Sequence, residues 1–149
     1  INTINEYTPS GSLVRQVTPG ITNIRKAVEV SNNVWAVIPW SSSATNPMIT
    51  MYTNGTRISS YGFVSEPRDS LMDSRGYFLV VQLNLNEIHV VNPSLTDHRV
   101  IQIPVNVQMN NPYAMIHDES RGRLYIGEWS GTYRLMVFNN VTNLFALFN

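Results

Sequence analysis

Two tryptophans, Trp40 and Trp129, follow apolar stretches of the chain and lie near polar residues that could bind a ligand. Trp129 comes directly after Glu128, and the corresponding place in the unit between the two tryptophans holds Leu83, flanked by Gln82 and Asn84. An aromatic ring stacks on the C–H face of a sugar while amides and carboxylates bind its hydroxyl groups. The same side chains suit a protein or peptide, because tryptophan is enriched at binding hot spots. A purely structural interpretation, in which both tryptophans cap a seam between repeated units, stays open.

The titratable residues do not form a pattern typical of an active site. His89, His98 and His117 are spread over different segments, without the spacing of metal ligands. Asp73 and Asp118 each precede a glycine turn, where a carboxylate accepts backbone N–H groups, so we expect both to be structural. The sequence contains no nucleophile elbow, phosphate-binding loop or dinucleotide fingerprint. We therefore predict no catalytic residue, no metal ligand and no cofactor.

These residues belong to a repeat of about 45 residues. Asn33, Gly76 and Gly122 mark the same turn in three successive units. An alternating apolar stretch precedes each turn, and a continuously apolar strand follows it, as expected for a strand buried on both faces. Short strands repeated at this period are typical of β-propeller blades.

Each unit continues into a β-hairpin. The clearest one pairs residues 48–52 with 57–61 across Asn54-Gly55, a dipeptide typical of a type I′ turn. Similar hairpins are expected at 88–91 with 100–103, at 135–138 with 144–148, and at residues 4–17. If the four strands of a blade are named a to d, this predicts about fourteen strands and essentially no helix. A β-sandwich is the alternative fold, and the in-phase turns argue against it.

The predicted organisation is therefore a single all-β domain of about three and a half four-stranded blades. An isolated c–d hairpin occupies residues 1–19, and three blades follow at residues 20–63, 64–105 and 106–149. The first residue is Ile1 and not a methionine, so we expect a processed product or an excised domain.

The composition argues against several classes of function. Ten basic residues balance ten acidic residues and only 13% of residues are charged. The sequence therefore predicts no broad cationic surface to attract nucleic acid or an anionic membrane. The sequence lacks an apolar run long enough for a membrane span, and it lacks cysteine and therefore disulfides. Asn54 and Asn140 begin possible N-glycosylation sequons, which favours a soluble, secreted, extracellular protein.

The repeated residues resemble a known family. Four segments carry the likeness: Ile4–Val14, Asp73–Val80, Asn92–Thr96 and Asp118–Tyr125. They resemble the NHL repeat, and more specifically the C-terminal half of the six-bladed propellers of invertebrate tripartite-motif (TRIM)-NHL-like proteins. The resemblance implies an NHL-type β-propeller fragment. The acidic residue that such repeats usually carry after the second strand is replaced by Pro39 and Gln82 in two units and is Glu128 in the third.

Some activities of the resembled family are not expected here. The sequence contains no RING or B-box segment, so a ubiquitin-ligase role is not supported. The neutral charge balance argues against RNA binding through a basic face. The histidine-based sites of metal-dependent NHL-like enzymes find no match among His89, His98 and His117.

The incomplete first blade would leave strand edges and apolar faces exposed, which invites a partner. We expect a second polypeptide, the N-terminal half of the same ring, in a heterodimeric assembly, with a homodimer as the alternative. The predicted function is non-enzymatic ligand binding, lectin-like or protein-binding, with Trp40, Gln82, Asn84, Glu128 and Trp129 as site residues. An enzyme subunit whose site forms only in the closed ring, and a structural or pigment-carrying protein, are the alternatives.

Overall fold

The computed structural model describes residues 3–21, 23–40, 48–52, 54–62, 66–101, 103, 107–131 and 133–141. These residues form thirteen β-strands and one 3₁₀ turn, Glu119–Arg121. The strands are β1 Ile4–Tyr7, β2 Leu13–Val17, β3 Ile24–Ser31, β4 Val34–Pro39, β5 Met48–Tyr52, β6 Arg57–Tyr61, β7 Pro67–Met72, β8 Phe78–Gln82, β9 Glu87–Val91, β10 His98–Val100, β11 Pro112–Asp118, β12 Arg123–Glu128 and β13 Leu135–Asn139. None of the described helical segments is long and apolar enough to cross a membrane.

The strands form four antiparallel sheets, each built from strands that are consecutive in the chain. We name them blade I (β1–β2), blade II (β3–β6), blade III (β7–β10) and blade IV (β11–β13). The first strands of blades II, III and IV are neighbours, because β7 contacts both β3 and β11. Successive meandering sheets whose first strands lie side by side are the arrangement of a β-propeller. The chain is thus an all-β propeller fragment, as the sequence predicts.

In blades II and III the second strand holds the structure together, because its two faces pack against different neighbouring blades. In blade III, Phe78 and Val80 pack with Ile38 and Met48 of blade II. Their neighbours in the strand point the other way, and Leu79 packs with residues of blade IV. A strand that is buried on both faces must be apolar throughout, which explains the continuous apolar runs in the sequence. Blade I joins blade II in the same way, through a cluster that includes Val17 and Trp35.

The turn residues adopt the backbone conformations that their alignment predicts. Asn33, Gly76 and Gly122 all have positive φ, at 65°, 87° and 58°. Asp73 accepts hydrogen bonds from the backbone N–H groups of Arg75 (3.0 Å) and Tyr77 (2.8 Å). Asp118 likewise accepts the N–H of Arg121 at 3.1 Å. The structural role predicted for both aspartates is confirmed.

Two local predictions are wrong. Of Asn54 and Gly55, only Gly55 has positive φ (88°), so this dipeptide does not form a type I′ turn. Instead, the Asn54 side chain accepts the N–H of Thr56 at 3.0 Å and the Gly55 N–H bonds to the carbonyl of Tyr52 at 2.9 Å. This is the pattern of a longer hairpin loop that ends in a left-handed glycine.

The return strand predicted at residues 100–103 is instead His98–Val100. The side-chain oxygen of Asn92 accepts the N–H groups of Thr96 (2.9 Å) and Asp97 (3.2 Å), so the loop closes early and pairing starts at His98. The strand predicted at residues 144–148 lies outside the described residues.

Candidate binding site

A β-bulge occurs at the same position in three successive blades. In the innermost strands, pairing shifts register between Ile24 and Lys26, between Pro67 and Asp69, and between Pro112 and Ala114. The residues at the three bulges are Arg25, Arg68 and Tyr113. A bulge re-aims the side chain of the extra residue. Because the three first strands lie side by side, the three bulge residues come together at one end of the fragment.

The three side chains meet in one cluster, which we call the rim cluster together with Trp40 and Trp129. The guanidinium carbon of Arg25 lies 5.3 Å from the centre of the Tyr113 ring, and that of Arg68 lies 5.5 Å from it. Both distances are within the range of cation–π attraction. The ring of Trp129 lies against Tyr113 at 5.3 Å between ring centres. Trp40 lines the same depression as Arg25, Arg68 and Tyr113.

Backbone hydrogen bonds fix where the tryptophans leave the sheet. The N–H of Trp40 donates to the carbonyl oxygen of Asn23, and that of Trp129 donates to the carbonyl oxygen of Asn111 at 3.0 Å. The equivalent bond in blade III runs from Leu83 to Glu66 at 3.0 Å. The three blades thus present Trp40, Leu83 and Trp129 at equivalent places on this rim. Both tryptophans remain accessible, with exposed fractions of 53% for Trp40 and 64% for Trp129.

Positive charge is concentrated at the rim cluster. One carboxylate oxygen of Glu66 lies 3.0 Å from Arg68 and 3.7 Å from Arg25, so a single acid serves two guanidinium groups. Burial, and then the nearby charge of Arg25, lower the pKa of Arg68. Lys26 does not add to the net positive charge of the rim cluster, because its ammonium group pairs with the Asp69 carboxylate at 3.0 Å.

Asp69 also fixes the relative positions of the three blades. Its carboxylate accepts the ammonium of Lys26 in blade II and the backbone N–H of Met115 in blade IV, the latter at 2.9 Å. Asp69 itself belongs to blade III. One half-buried side chain therefore ties together the three strands that carry Arg25, Arg68 and Tyr113.

The rim cluster surrounds a shallow depression of about 310 Å³ lined by Ile24, Arg25, Trp40, Arg68 and Tyr113. This volume is at the lower end of the range for small-molecule sites. The depression offers aromatic surface and cationic donors, which suits a small ligand with an apolar face and an anionic or strongly polar group.

The five site residues predicted from the sequence have different environments. Trp40 and Trp129 belong to the rim cluster, and Asn84 is exposed in the turn after β8. Gln82 is fully buried. The side chain of Glu128 is also buried and binds within the protein, since it accepts the N–H of Asn110 (2.7 Å) and a guanidinium N–H from Arg134 (2.9 Å).

The two candidate glycosylation residues, Asn54 and Asn140, are exposed, although Thr142 of the second sequon lies outside the described residues.

Sequence reasoning missed Arg25, Arg68 and Tyr113. The signal was present, since each of them follows an aligned residue: Ile24, Pro67 or Pro112. Simple alternation does not reveal them, because the bulge breaks the period of two at this point.

Two of the three histidines lie together, away from the rim cluster. The rings of His89 and His98 stack at 5.1 Å between centres, and the Tyr61 hydroxyl lies 3.1 Å from Nδ1 of His89. Nε2 of His89 is 3.0 Å from the Glu87 carboxylate. Burial, together with Asp97 and Glu87, raises the pKa of Tyr61 to about 12. Within the described part of the chain, no group of three or more His, Cys, Asp or Glu side chains could hold a metal ion.

No protein-family model matches this chain. No curated protein matches its sequence significantly either.

Solved structures share its fold. A protein of unknown function from Bacteroides caccae is similar with a TM-score of 0.70 and 20% identity, over 93% of this chain and 56% of that one. A chain of a nidogen/laminin complex is similar with a TM-score of 0.61 and 14% identity, over 86% and 48% of the two chains. PorZ, a bacterial surface component of the type-IX secretion system of Porphyromonas gingivalis, has a TM-score of 0.50 and 12% identity, over 91% and 19%.

The chain thus spans about half the length of the first two structures that it matches. At these identities the likeness establishes the propeller-like fold and no more.

Proposed function

We propose that this chain is a non-enzymatic binding module of the NHL propeller type, and that the rim cluster binds carbohydrate in the manner of a lectin. The observation that carries the proposal is the set of equivalent bulges that brings Arg25, Arg68 and Tyr113 together beside two exposed tryptophans. Preorganised aromatic faces with a few convergent polar donors are typical of small-ligand sites. A protein or peptide ligand is the alternative. An extracellular location is part of the proposal, supported by the sequons and by the surface location of PorZ.

The test is binding of the purified protein to a glycan microarray and to a peptide library. We expect glycan binding that is lost in Trp40→Ala and Trp129→Ala, with both variants retaining the thermal unfolding midpoint of the wild type. Tyr52→Ala is the matched control, because Tyr52 is an exposed aromatic residue beside the Gly55 turn, away from the rim cluster. Unfolding of both tryptophan variants would support the seam-capping interpretation, and peptide binding alone would support the alternative ligand.

We further propose that more blades complete the ring around this fragment. In blades II and III, one face of each sheet is covered by the next blade, as Leu79 and Val90 of blade III are by blade IV. The corresponding face of blade IV carries Ile116 (67% exposed) and Val137 (47% exposed). An apolar sheet face of this kind is normally buried. In each described seam, a neighbouring blade covers the apolar sheet face. We therefore infer that another blade covers this face of blade IV.

We propose that the covering blades belong to a second polypeptide that carries the N-terminal half of the ring, and a second copy of this chain is the alternative. Native mass spectrometry, followed by denaturation of the same sample, distinguishes the two by the masses of the components. We expect Val137→Lys to release a single chain, and Ile58→Lys on the outermost strand of blade II to leave the assembly intact. A wild-type protein that is stable as a single chain would refute the proposal.

A further inference from the structure

We propose that the ligand of the rim cluster is an acidic sugar, whose carboxylate binds between Arg25 and Arg68 while its ring stacks on the aromatic side chains. This inference depends on the proposed carbohydrate-binding function and specifies the class of ligand. It is carried by three features of the described residues: the charge balance, the shape of the guanidinium groups and the size of the depression.

The charge balance favours an anion. Arg25 and Arg68 line the depression, and among the described residues Glu66 is the one carboxylate that pairs with them, so one positive charge is uncompensated. Among the described residues, the buried Nη1 of Arg25 and Nε of Arg68 have no partner within hydrogen-bond distance, since Nη1 of Arg25 is 3.7 Å from the Glu66 carboxylate. Both guanidinium groups are already desolvated when the protein folds, so binding an anion does not have to desolvate them. A bound anion would also reduce the repulsion between the two positive charges. A neutral sugar would leave this repulsion in place.

The geometry favours a planar carboxylate. A guanidinium group donates two parallel hydrogen bonds to a carboxylate, and two such groups held side by side limit the orientations of the anion. The Tyr113 ring holds both groups, at 5.3 and 5.5 Å from its centre. The donors are therefore preorganised, which lowers the entropy lost on binding.

The size of the site favours one sugar ring over an extended peptide. A depression of about 310 Å³ has room for a small headgroup, while Trp40 and the Tyr113–Trp129 pair provide apolar faces on which a ring can stack. An acidic peptide would need an extended groove, and the described rim does not show one among its lining residues.

The experiment is isothermal titration of the protein as isolated, with an oligogalacturonate, the matched neutral galactose oligomer and a sulfated galactose oligomer. We expect the galacturonate to bind about 10- to 100-fold more tightly than the neutral oligomer, since a charged hydrogen-bonded pair contributes that much. The ratio of the affinities for the acidic and neutral oligomers should fall as the salt concentration is raised, because salt screens the charges. Tighter binding of the sulfated oligomer would overturn the carboxylate assignment.

Arg25→Gln and Arg68→Gln should each weaken binding of the acidic oligomer by about 10-fold or more, and weaken binding of the neutral oligomer by less, so that most of the preference is lost. Arg68→Lys should restore only part of it, because lysine keeps the charge and loses the two parallel donors. Arg123→Gln, a change at an exposed arginine at the start of β12, is the control. If Arg68→Gln unfolds, Arg25→Gln and the salt dependence of binding still test whether the two arginines bind the carboxylate. Equal affinity for acidic and neutral oligomers would refute the inference but not carbohydrate binding, whereas binding of no sugar would refute both.

Discussion

Replacing Gln82 with methionine is expected to stabilise the protein. The Gln82 side chain is fully buried, and neither its amide nitrogen nor its amide oxygen has a hydrogen-bond partner among the described residues. An amide buried without a partner costs about 1–3 kcal/mol. Methionine has a similar shape and no polar group to satisfy, so Gln82→Met should raise the free energy of unfolding by about 1–2 kcal/mol once imperfect packing is allowed for.

Urea denaturation at a fixed protein concentration measures this change, because any assembly makes the apparent stability depend on concentration. The urea midpoint should rise while the slope of the transition stays the same. Asn84→Met is the control: Asn84 is exposed two residues further along, so we expect a change within about 0.5 kcal/mol.

Two results would contradict this reasoning. A fall of about 1 kcal/mol or more in Gln82→Met would mean that the amide forms hydrogen bonds in the folded protein. Unchanged stability with loss of ligand binding would mean that Gln82 serves the binding site, as the sequence pattern first indicated.

Two further predictions concern the turns and the histidine pair. Asp73→Ala should lower the free energy of unfolding by about 1–3 kcal/mol, because the partly buried N–H groups of Arg75 and Tyr77 lose their acceptor. An unchanged urea midpoint would contradict the assigned role. Burial and His89 lower the pKa of His98 in the folded protein, so stability is present above the unfolded pKa and is lost as pH falls. His98→Asn should therefore reduce the loss of thermal stability between about pH 7 and 5.5, and a loss equal to that of the wild type would contradict this. The groups facing or adjoining His98 are Tyr61, Glu87, His89, Asp97 and Arg99.

The strands could be predicted because their causes are local. Continuous apolar runs, such as Val34–Ile38, require burial on both faces, and the aligned positions of Asn33, Gly76 and Gly122 require a left-handed backbone. The return strand after β9 starts earlier than the pattern predicts, because the Asn92 side chain accepts the N–H groups of Thr96 and Asp97 and closes the loop. Apolar periodicity does not show such a side-chain contact.

The site was only partly predictable. Trp40 and Trp129 follow the second strands, and their shared position places them on one rim. Gln82 and Glu128 occupy the preceding position in their blades and look equally available in the sequence, yet both side chains are buried. Burial at this position depends on what each blade packs against. Periodicity along the chain does not carry that information.

The rim cluster is shared by three blades, so its geometry depends on the seams between them. Arg25 belongs to blade II, Arg68 to blade III and Tyr113 to blade IV. A small rotation of blade IV would move the Tyr113 ring away from both guanidinium groups. The Asp69–Met115 hydrogen bond and the apolar seam are among the contacts that oppose it. Another blade packed on Ile116 and Val137 would restrict that rotation. Ring completion and ligand binding would then stabilise each other, because each favours the same arrangement of blades.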